Sequence, residues 1–271
     1  MNSRPCPLCH HPHATLFQKV DDLFVVSCRA CDFTFLGNPP AAKAEKEHYE
    51  HYFASTKLGD YEQDSLDPEI RSIWAVNEQR LAWLQRYVAG GRLLDVGCGR
   101  GFFLEHACRQ GFISEGLEIS TAAAHYVSER LGITVHLCNL DQESTLEGSY
   151  DVICLWHVLE HFRQPVEVLE RVWNLCAPGG RIFIEVPNLN SLKFQLSLPS
   201  RRWRGGNHPR YHRSFFTRAS LARTLTVAGF QQLEYGTPSY GTAGLKRAVK
   251  SRLNRFGLDS FIDVTAVAAR R

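Results

Sequence analysis

Three things are scarce in this 271-residue chain, and each scarcity excludes something. No apolar run approaches the roughly 20 residues that a membrane-spanning helix needs. The opening Met-Asn-Ser-Arg-Pro-Cys-Pro lacks the apolar core of a secretory signal, so a cytoplasmic protein is expected. Nine cysteines cannot all pair, and Cys98, Cys108, Cys138, Cys154 and Cys176 are scattered rather than spaced as a framework, which reads as reduced thiols. Acids almost vanish between Val186 and Leu258, where 13 Lys or Arg meet Glu234 alone. The chain as a whole carries only +3, so residues 1–185 must be strongly acidic. The two halves face different partners, or each other.

What is present begins with Cys6-Pro-Leu-Cys9 and, 18 residues later, Cys28-Arg-Ala-Cys31. Each knuckle offers two thiolates on a tight turn, and two knuckles at this separation suit a tetrahedral, structural Zn2+ in a small ribbon spanning 1–38. The competing readings are a histidine ligand from His10, His11 or His13, or two disulfides. The runs Leu23 to Val26 and Phe33 to Phe35 suit ribbon strands. Residues 39–67 carry a Pro-Pro break, a charged run and the aromatics Tyr49, Tyr52, Phe53 and Tyr61, and read as a linker or lid.

From 68 to 271 the pattern is that of one large domain. Asp67-Pro68-Glu69 opens a helix whose apolar face is Ile70, Ile73, Trp74, Leu81 and Leu84. Short, nearly continuous apolar runs then alternate with amphipathic helical segments: strands at 92–96, 114–118, 133–138, 150–156 and 181–186, helices at 102–110, 121–131 and 165–175. Strands at 230–235 and 261–268 complete seven. This is the signature of an α/β fold whose parallel sheet is covered on both faces, with ligands at the carboxyl ends of the strands.

The first of these strands runs into Asp95-Val-Gly97-Cys98-Gly99-Arg-Gly101-Phe102. Glycines at alternate positions tolerate positive φ and let backbone N–H groups approach a ligand at a helix N-terminus. Asp95 would repel the pyrophosphate of a nicotinamide cofactor, which disfavours a dehydrogenase, and would suit a cationic ligand. The stretch resembles motif I of the class I S-adenosylmethionine (SAM)-dependent methyltransferases. Glu118, at the end of the second strand, matches the acid that this family sets against the ribose. Trp156-His157-Val-Leu-Glu160-His161 resembles the His-x-x-Glu-His segment of a subgroup that includes sugar and quinone methyltransferases. Pro178-Gly179-Gly180 and Val186-Pro187-Asn188 match as well.

The resemblance, which covers roughly Glu69 to Ala268, implies a Rossmann-like seven-stranded methyltransferase sheet carrying a small N-terminal zinc ribbon, as in some members. It implies SAM held by Asp95, Gly97, Cys98, Gly99, Gly101, Phe102, Glu118, Ile119, Asn139, Leu140, Trp156 and His157. A histidine suits removal of the acceptor proton near neutral pH, so His157 is expected as base or substrate contact, with His161 and Glu160 beside it. In the quinone enzymes a Glu-x-x-Glu-His cluster holds a divalent metal, and the first position here is His157 instead.

His208, Tyr211 and His212 resemble the loop that borders the acceptor, and with Arg202, Arg204, Arg210 and Arg213 they would suit an anionic partner such as a phosphate or pyrophosphate. The expected acceptor is small or carrier-linked, a nucleotide sugar or polysaccharide intermediate. Alternatives are a quinone-type O-methyltransferase, a non-enzymatic zinc-ribbon adaptor, and rRNA, since guanine-N1 methyltransferases also open on a Cys-Pro-Leu-Cys-His knuckle. The basic segment with Leu245, Ala248, Val249, Leu253 and Phe256 on one face suits either an anionic acceptor or a membrane surface.

Overall fold

The computed structural model describes residues 3–41, 47, 50, 51, 67–142, 146–197, 203, 208–236, 252, 253 and 258–268. Arg202, Arg204, Tyr49, Tyr52, Phe53, Tyr61 and most of the basic segment around Ala248 lie outside these residues.

Two sheets organise the chain. The N-terminal strands β1 (Ala14–Val20), β2 (Leu23–Cys28) and β3 (Thr34–Leu36) form an antiparallel meander. Helix α1 (Pro68–Leu84) starts where the sequence signals it: the Asp67 side chain accepts from Glu69 N–H at 2.8 Å and Pro68 follows. The alternation then runs β4 (Arg92–Val96), α2 (Phe102–Arg109), β5 (Ile113–Glu118), α3 (Thr121–Leu131), β6 (Val135–Leu137), β7 (Tyr150–Trp156), α4 (Pro165–Leu175) and β8 (Cys176–Pro187). A short helix α5 (Leu192–Leu196), β9 (Ser214–Phe215), α6 (Arg218–Val227), β10 (Phe230–Tyr235) and β11 (Phe261–Ala268) follow.

The large sheet has seven strands in the order β10-β11-β8-β7-β4-β5-β6. β6, β5, β4, β7 and β8 are mutually parallel; β11 is antiparallel to β8 and β10 to β11. The order reverses between β4 and β7, the switch point at which such sheets open a ligand crevice. The runs Leu93-Leu94, Ile153 to Leu155 and Ile182 to Ile184 are fully buried, as expected of central strands covered on both faces.

The ribbon does not hang from this domain as a separate bead. β9, two residues in the loop that precedes α6, adds a fourth strand to the meander, with Thr34 opposite Phe215 and Phe35 opposite Ser214. Leu36 N–H donates to Arg213 O at 2.9 Å beside it. Phe33, Phe35 and Val26 belong to the same buried cluster as Phe216, Ile184 and Leu155, and the Phe33 and Phe216 rings lie 5.5 Å apart. Arg4 ties the seam at its rim, donating to Leu36 O and Arg163 O at 3.0 and 2.7 Å. The sequence marks the ribbon's residues, but not this partner strand far along the chain.

Among the described residues, no helix is long and apolar enough to cross a membrane.

Candidate active site

A cleft of about 510 Å³ opens at the carboxyl ends of β4, β5, β6 and β7. Its floor is the glycine loop. Gly97 (φ +70°), Gly99 (φ +53°) and Gly101 (φ +75°) are all left-handed, so the alternate glycines are required by the turn. A Cβ on Gly97 would stand 2.6 Å from Val158 Cγ2, so the backbone here passes directly under the loop that follows β7.

Two buried acids face this loop. Glu118 is 4% exposed; its Oε2 accepts from Gly99 N–H at 2.9 Å and its Oε1 from the Ile119 and Ser120 N–H groups at 2.8 and 3.0 Å. Each carboxylate oxygen has further lone pairs for hydroxyl donors. Burial raises its pKa, against the pull of those N–H groups. Burial pushes the Asp95 carboxyl up to about 8; the Arg80 guanidinium pulls it down and Glu118 adds to the rise. Two acids held this way fit a ligand that brings a cation and hydroxyl donors, as the ammonium and ribose of SAM do.

Of the cofactor residues expected from sequence, Gly97, Gly99, Glu118, Ile119, Asn139, Leu140, Trp156 and His157 line the cleft. Asp95, Cys98, Gly101 and Phe102 sit behind it. Cys98 packs in the core of the α2 side, and Phe102 packs edge-on against Trp74 at 5.7 Å. The 39–67 segment touches this end through Glu50, whose carboxylate accepts from Thr121 N–H and Ser120 Oγ at the start of α3.

The other end is built by the turn after β7. His157 takes a left-handed backbone (φ +57°) and donates its N–H to Glu185 O at 2.8 Å. A non-glycine residue there costs of order 1–3 kcal/mol and persists only where the surroundings hold it. The surroundings are two carboxylates: His157 Nε2 lies 2.6 Å from Glu185 Oε1, and Nδ1 lies 3.6 Å from Glu160 Oε1. Burial alone would lower the His157 pKa, but Glu185 and Glu160 outweigh it and raise it to about 9. Glu185 also pairs with Arg80 at 2.5 Å, Arg80 reaches Asn77 Oδ1 at 3.0 Å, and its guanidinium lies over the Trp156 ring. Burial works against the Glu185 charge, yet Arg80 and His157 hold its pKa well below the carboxylate range.

This arrangement weighs against His157 as the base and keeps it as a residue of the cleft wall. Both ring nitrogens face carboxylates, an arrangement that favours the protonated ring. His161 differs. Its Nδ1 lies 2.9 Å from Tyr211 O, an acceptor, so Nδ1 carries a proton, on a ring that lines the cleft. His212 is buried behind it, ring centroids 4.9 Å apart, and burial lowers its pKa to about 3, so it is neutral. Glu160 is 1% exposed between these rings, and its Oε2 has no hydrogen-bond partner. Glu160, His161 and His212 bring ligand-type atoms within 4.8 Å of one another. His208 lies outside the lining, its Nε2 3.5 Å from Asp21 of the ribbon, whereas Tyr211 lines the cleft.

Sequence reasoning missed Arg80 and Glu185, although an acid near the carboxyl end of an apolar strand is a signal that could have found the second. It also missed Asp22 and Leu23 of the ribbon and Pro40 just after it, which wall the cleft. At the ribbon's own centre the four cysteine sulfurs lie within 4.8 Å of one another, with Cys6 to Cys31 at 3.6 Å and Cys9 to Cys28 at 3.5 Å. Tetrahedral Zn–S bonds of about 2.3 Å put sulfurs about 3.8 Å apart, so the donor set fits zinc.

A doubly wound sheet with an adenosyl-type cleft at its switch point, floored by glycines and paired acids, defines a nucleotide-cofactor enzyme. A methyltransferase-domain family model matches residues 71–235. A ubiquinone biosynthesis O-methyltransferase of Burkholderia pseudomallei is 27% identical over 229 residues, 79% of this chain and 94% of that one. The same enzyme of Aeromonas salmonicida is 27% identical over 178 residues, 60% of this chain and 74% of its own. The Burkholderia thailandensis 1,6-didemethyltoxoflavin-N1-methyltransferase, solved with S-adenosylhomocysteine, shares the fold at TM-score 0.55 and 17% identity, covering 95% of this chain and 100% of that one. The chain belongs to this methyltransferase family and is a class I SAM-dependent methyltransferase.

Proposed function

We propose that the protein methylates a hydroxyl of a small or carrier-linked anionic acceptor, a nucleotide sugar or polysaccharide intermediate being the leading class. The observation that carries the reading is His161: a ring at the cleft wall whose Nδ1 is tied to Tyr211 O and which stands beside the buried Glu160 carboxylate. SAM, when bound, supplies an electrophilic methyl group on a sulfonium. Glu118 would hold its ribose, Asp95 behind the cleft would favour its ammonium, and the glycine loop would carry its methionine end. His161 Nε2 takes the hydroxyl proton as the oxygen attacks, and the buried Glu160 carboxylate next to it favours the imidazolium that results. His157 and Glu185 are positioning residues, fixing the turn that carries Glu160 and His161. Much of the acceleration comes from holding donor and acceptor in line.

The four thiolates of Cys6, Cys9, Cys28 and Cys31 hold a structural Zn2+ in this reading, with 1–38 as ribbon, 39–67 as linker and lid, and 68–271 as the methyltransferase domain. Cysteines without disulfide pairing suit a reducing compartment such as the cytoplasm. A second reading, O-methylation of a quinone precursor, is favoured by the named activity of the relatives.

The test is transfer of label from SAM into RNA, lipid, polysaccharide and small-molecule fractions of a lysate. Label is expected in the small-molecule or polysaccharide pool, and His161→Ala should cut the rate by about 100-fold to 10,000-fold with SAM affinity unchanged. Label in the RNA pool, or full activity in the variant, would overturn the reading.

A further inference from the structure

We propose that the turn between β1 and β2 is a reading wall of the acceptor site, where Asp22 accepts from two neighbouring hydroxyls of a ring that lies against Tyr211. This rests on the reading above and deepens it, since it names the feature by which the ribbon selects the acceptor.

The ribbon reaches the cleft through a hairpin whose loop is Asp21 and Asp22, between the paired Val20 and Leu23. Asp21 takes a left-handed backbone (φ +54°), which aspartate tolerates better than most side chains. The turn is pinned from two sides. Asn38 accepts from Phe24 N–H at 2.7 Å and donates to Asp22 O at 2.8 Å, while Asp21 Oδ2 lies 3.5 Å from His208 Nε2. Asp22 and the buried Leu23 thereby line the same cleft as Gly97, Glu118 and His161.

Among the described residues three acids line that cleft, and two are already engaged. Glu118 accepts from the Gly99, Ile119 and Ser120 N–H groups, and Asp141 from those of Arg163 and Gln164. Asp22 is exposed, and its carboxylate makes no hydrogen bond or ion pair among the described residues. Tyr211, on the loop that faces the turn through His208, is 36% exposed, and its ring meets the His208 ring edge-on at 6.4 Å. Tyr211 O in turn holds His161. The turn, the Tyr211 ring and His161 thus form one connected corner.

An ionised carboxylate has about four lone-pair sites and no donor, so it takes hydroxyl hydrogens in pairs. An aromatic face is the negative pole of its quadrupole and receives the C–H face of a saturated ring. A pyranose presents both, hydroxyls at its edge and C–H bonds on its face. A carboxylate also repels phosphate, so Asp22 meets the neutral part of the acceptor and not its anionic group. No motif marks Asp22 in the sequence, because its place in the cleft exists only once the ribbon has docked.

The experiment is calorimetry on the full-length, zinc-replete protein loaded with S-adenosylhomocysteine. The probes are UDP-glucose, GDP-mannose, UDP-glucosamine and protocatechuate, followed by the monodeoxy forms of whichever sugar binds best. That sugar should bind at least about tenfold tighter than a form lacking one of the two hydroxyls. Asp22→Ala, at an exposed position whose side chain folding does not need, should bind the two forms alike, and Tyr211→Ala should weaken both at least about tenfold. S-adenosylhomocysteine affinity should stay unchanged in both variants, and Glu129→Gln, on the outer face of α3, should bind the sugar as the wild type does. Protocatechuate bound more tightly than the sugars, with the same loss in Asp22→Ala, would support the wall and place the hydroxyl pair on an aromatic ring. UDP-glucosamine bound more tightly than UDP-glucose, or equal sugar affinity in the wild type and Asp22→Ala, would overturn it. A wild type that binds S-adenosylhomocysteine but none of these probes defeats this proposal alone, whereas one that binds no S-adenosylhomocysteine defeats the reading beneath it.

Discussion

Replacing Glu185 by Gln removes one charge and keeps the shape of the side chain, which makes it the sharpest probe of the corner that holds His157. In the native protein the ring titrates at about 9, against an ordinary value of 6.5. That interval is worth roughly 3.4 kcal/mol at about 1.36 kcal/mol for each pKa unit. The ring is enclosed except toward the cleft, to which 34% of the side chain is exposed, and solvent there screens the pair, leaving about 2 kcal/mol.

In Glu185→Gln the remaining Glu160 contact at 3.6 Å opposes burial, while Arg80, deprived of its carboxylate, repels the ring. The midpoint of His157 should fall to about 7 or below. Because the folded pKa is raised, the stabilisation is complete below about pH 6.5 and is lost as pH climbs through 9. The wild type should therefore lose about 2 kcal/mol across that window relative to the variant, whose curve should be flatter. Histidine-ring NMR follows the midpoint directly, and urea unfolding at pH 6.5 and 9 follows the stability. A wild-type midpoint at or below 6.5, or one that Glu185→Gln leaves in place, would refute the assignment of His157 as a fixed cation.

Asp95→Asn and Glu118→Gln should each weaken SAM binding by about 1.5–3 kcal/mol, the worth of a charge-assisted hydrogen bond, and calorimetry showing native affinity in both would displace the cofactor from this cleft. Metal analysis should find one zinc per chain, lost in Cys6→Ser. Since the ribbon shares its core with β7 and β8, stripping the metal should lower the midpoint of a single unfolding transition, and two separate transitions in calorimetry would show that the seam is not cooperative.

The large sheet was legible because its signals are local. Leu93 to Gly101 and Tyr150 to Trp156 each carry their own pattern, and α3 and α4 occupy the residues that their periodicity marks. β8 begins earlier than expected, at Cys176, because pairing with β7 at Tyr150 extends it through a Pro-Gly-Gly stretch that reads as a turn. β6 is only Val135–Leu137, shorter than its apolar run, as suits the sheet's edge.

What remained hidden depends on partners distant in sequence. Arg80 looks like a solvated position on α1 until Glu185 stands opposite it. His157 looks like a base until its two carboxylates are placed, and nothing in Ser214-Phe215 announces a ribbon strand.

That strand gives the chain a schedule. The ribbon is made before the catalytic domain, yet the segment that completes its sheet follows five of the seven strands of the large sheet. At about 5–20 residues per second the free edge of β3 waits roughly ten to forty seconds for Phe215. During that interval β3 offers unpaired N–H and C=O groups to any passing strand, the usual opening for misassembly. Early metal capture would shape the knuckles but leave this edge open. Closure waits until β9 reaches it and the cleft acquires its last wall.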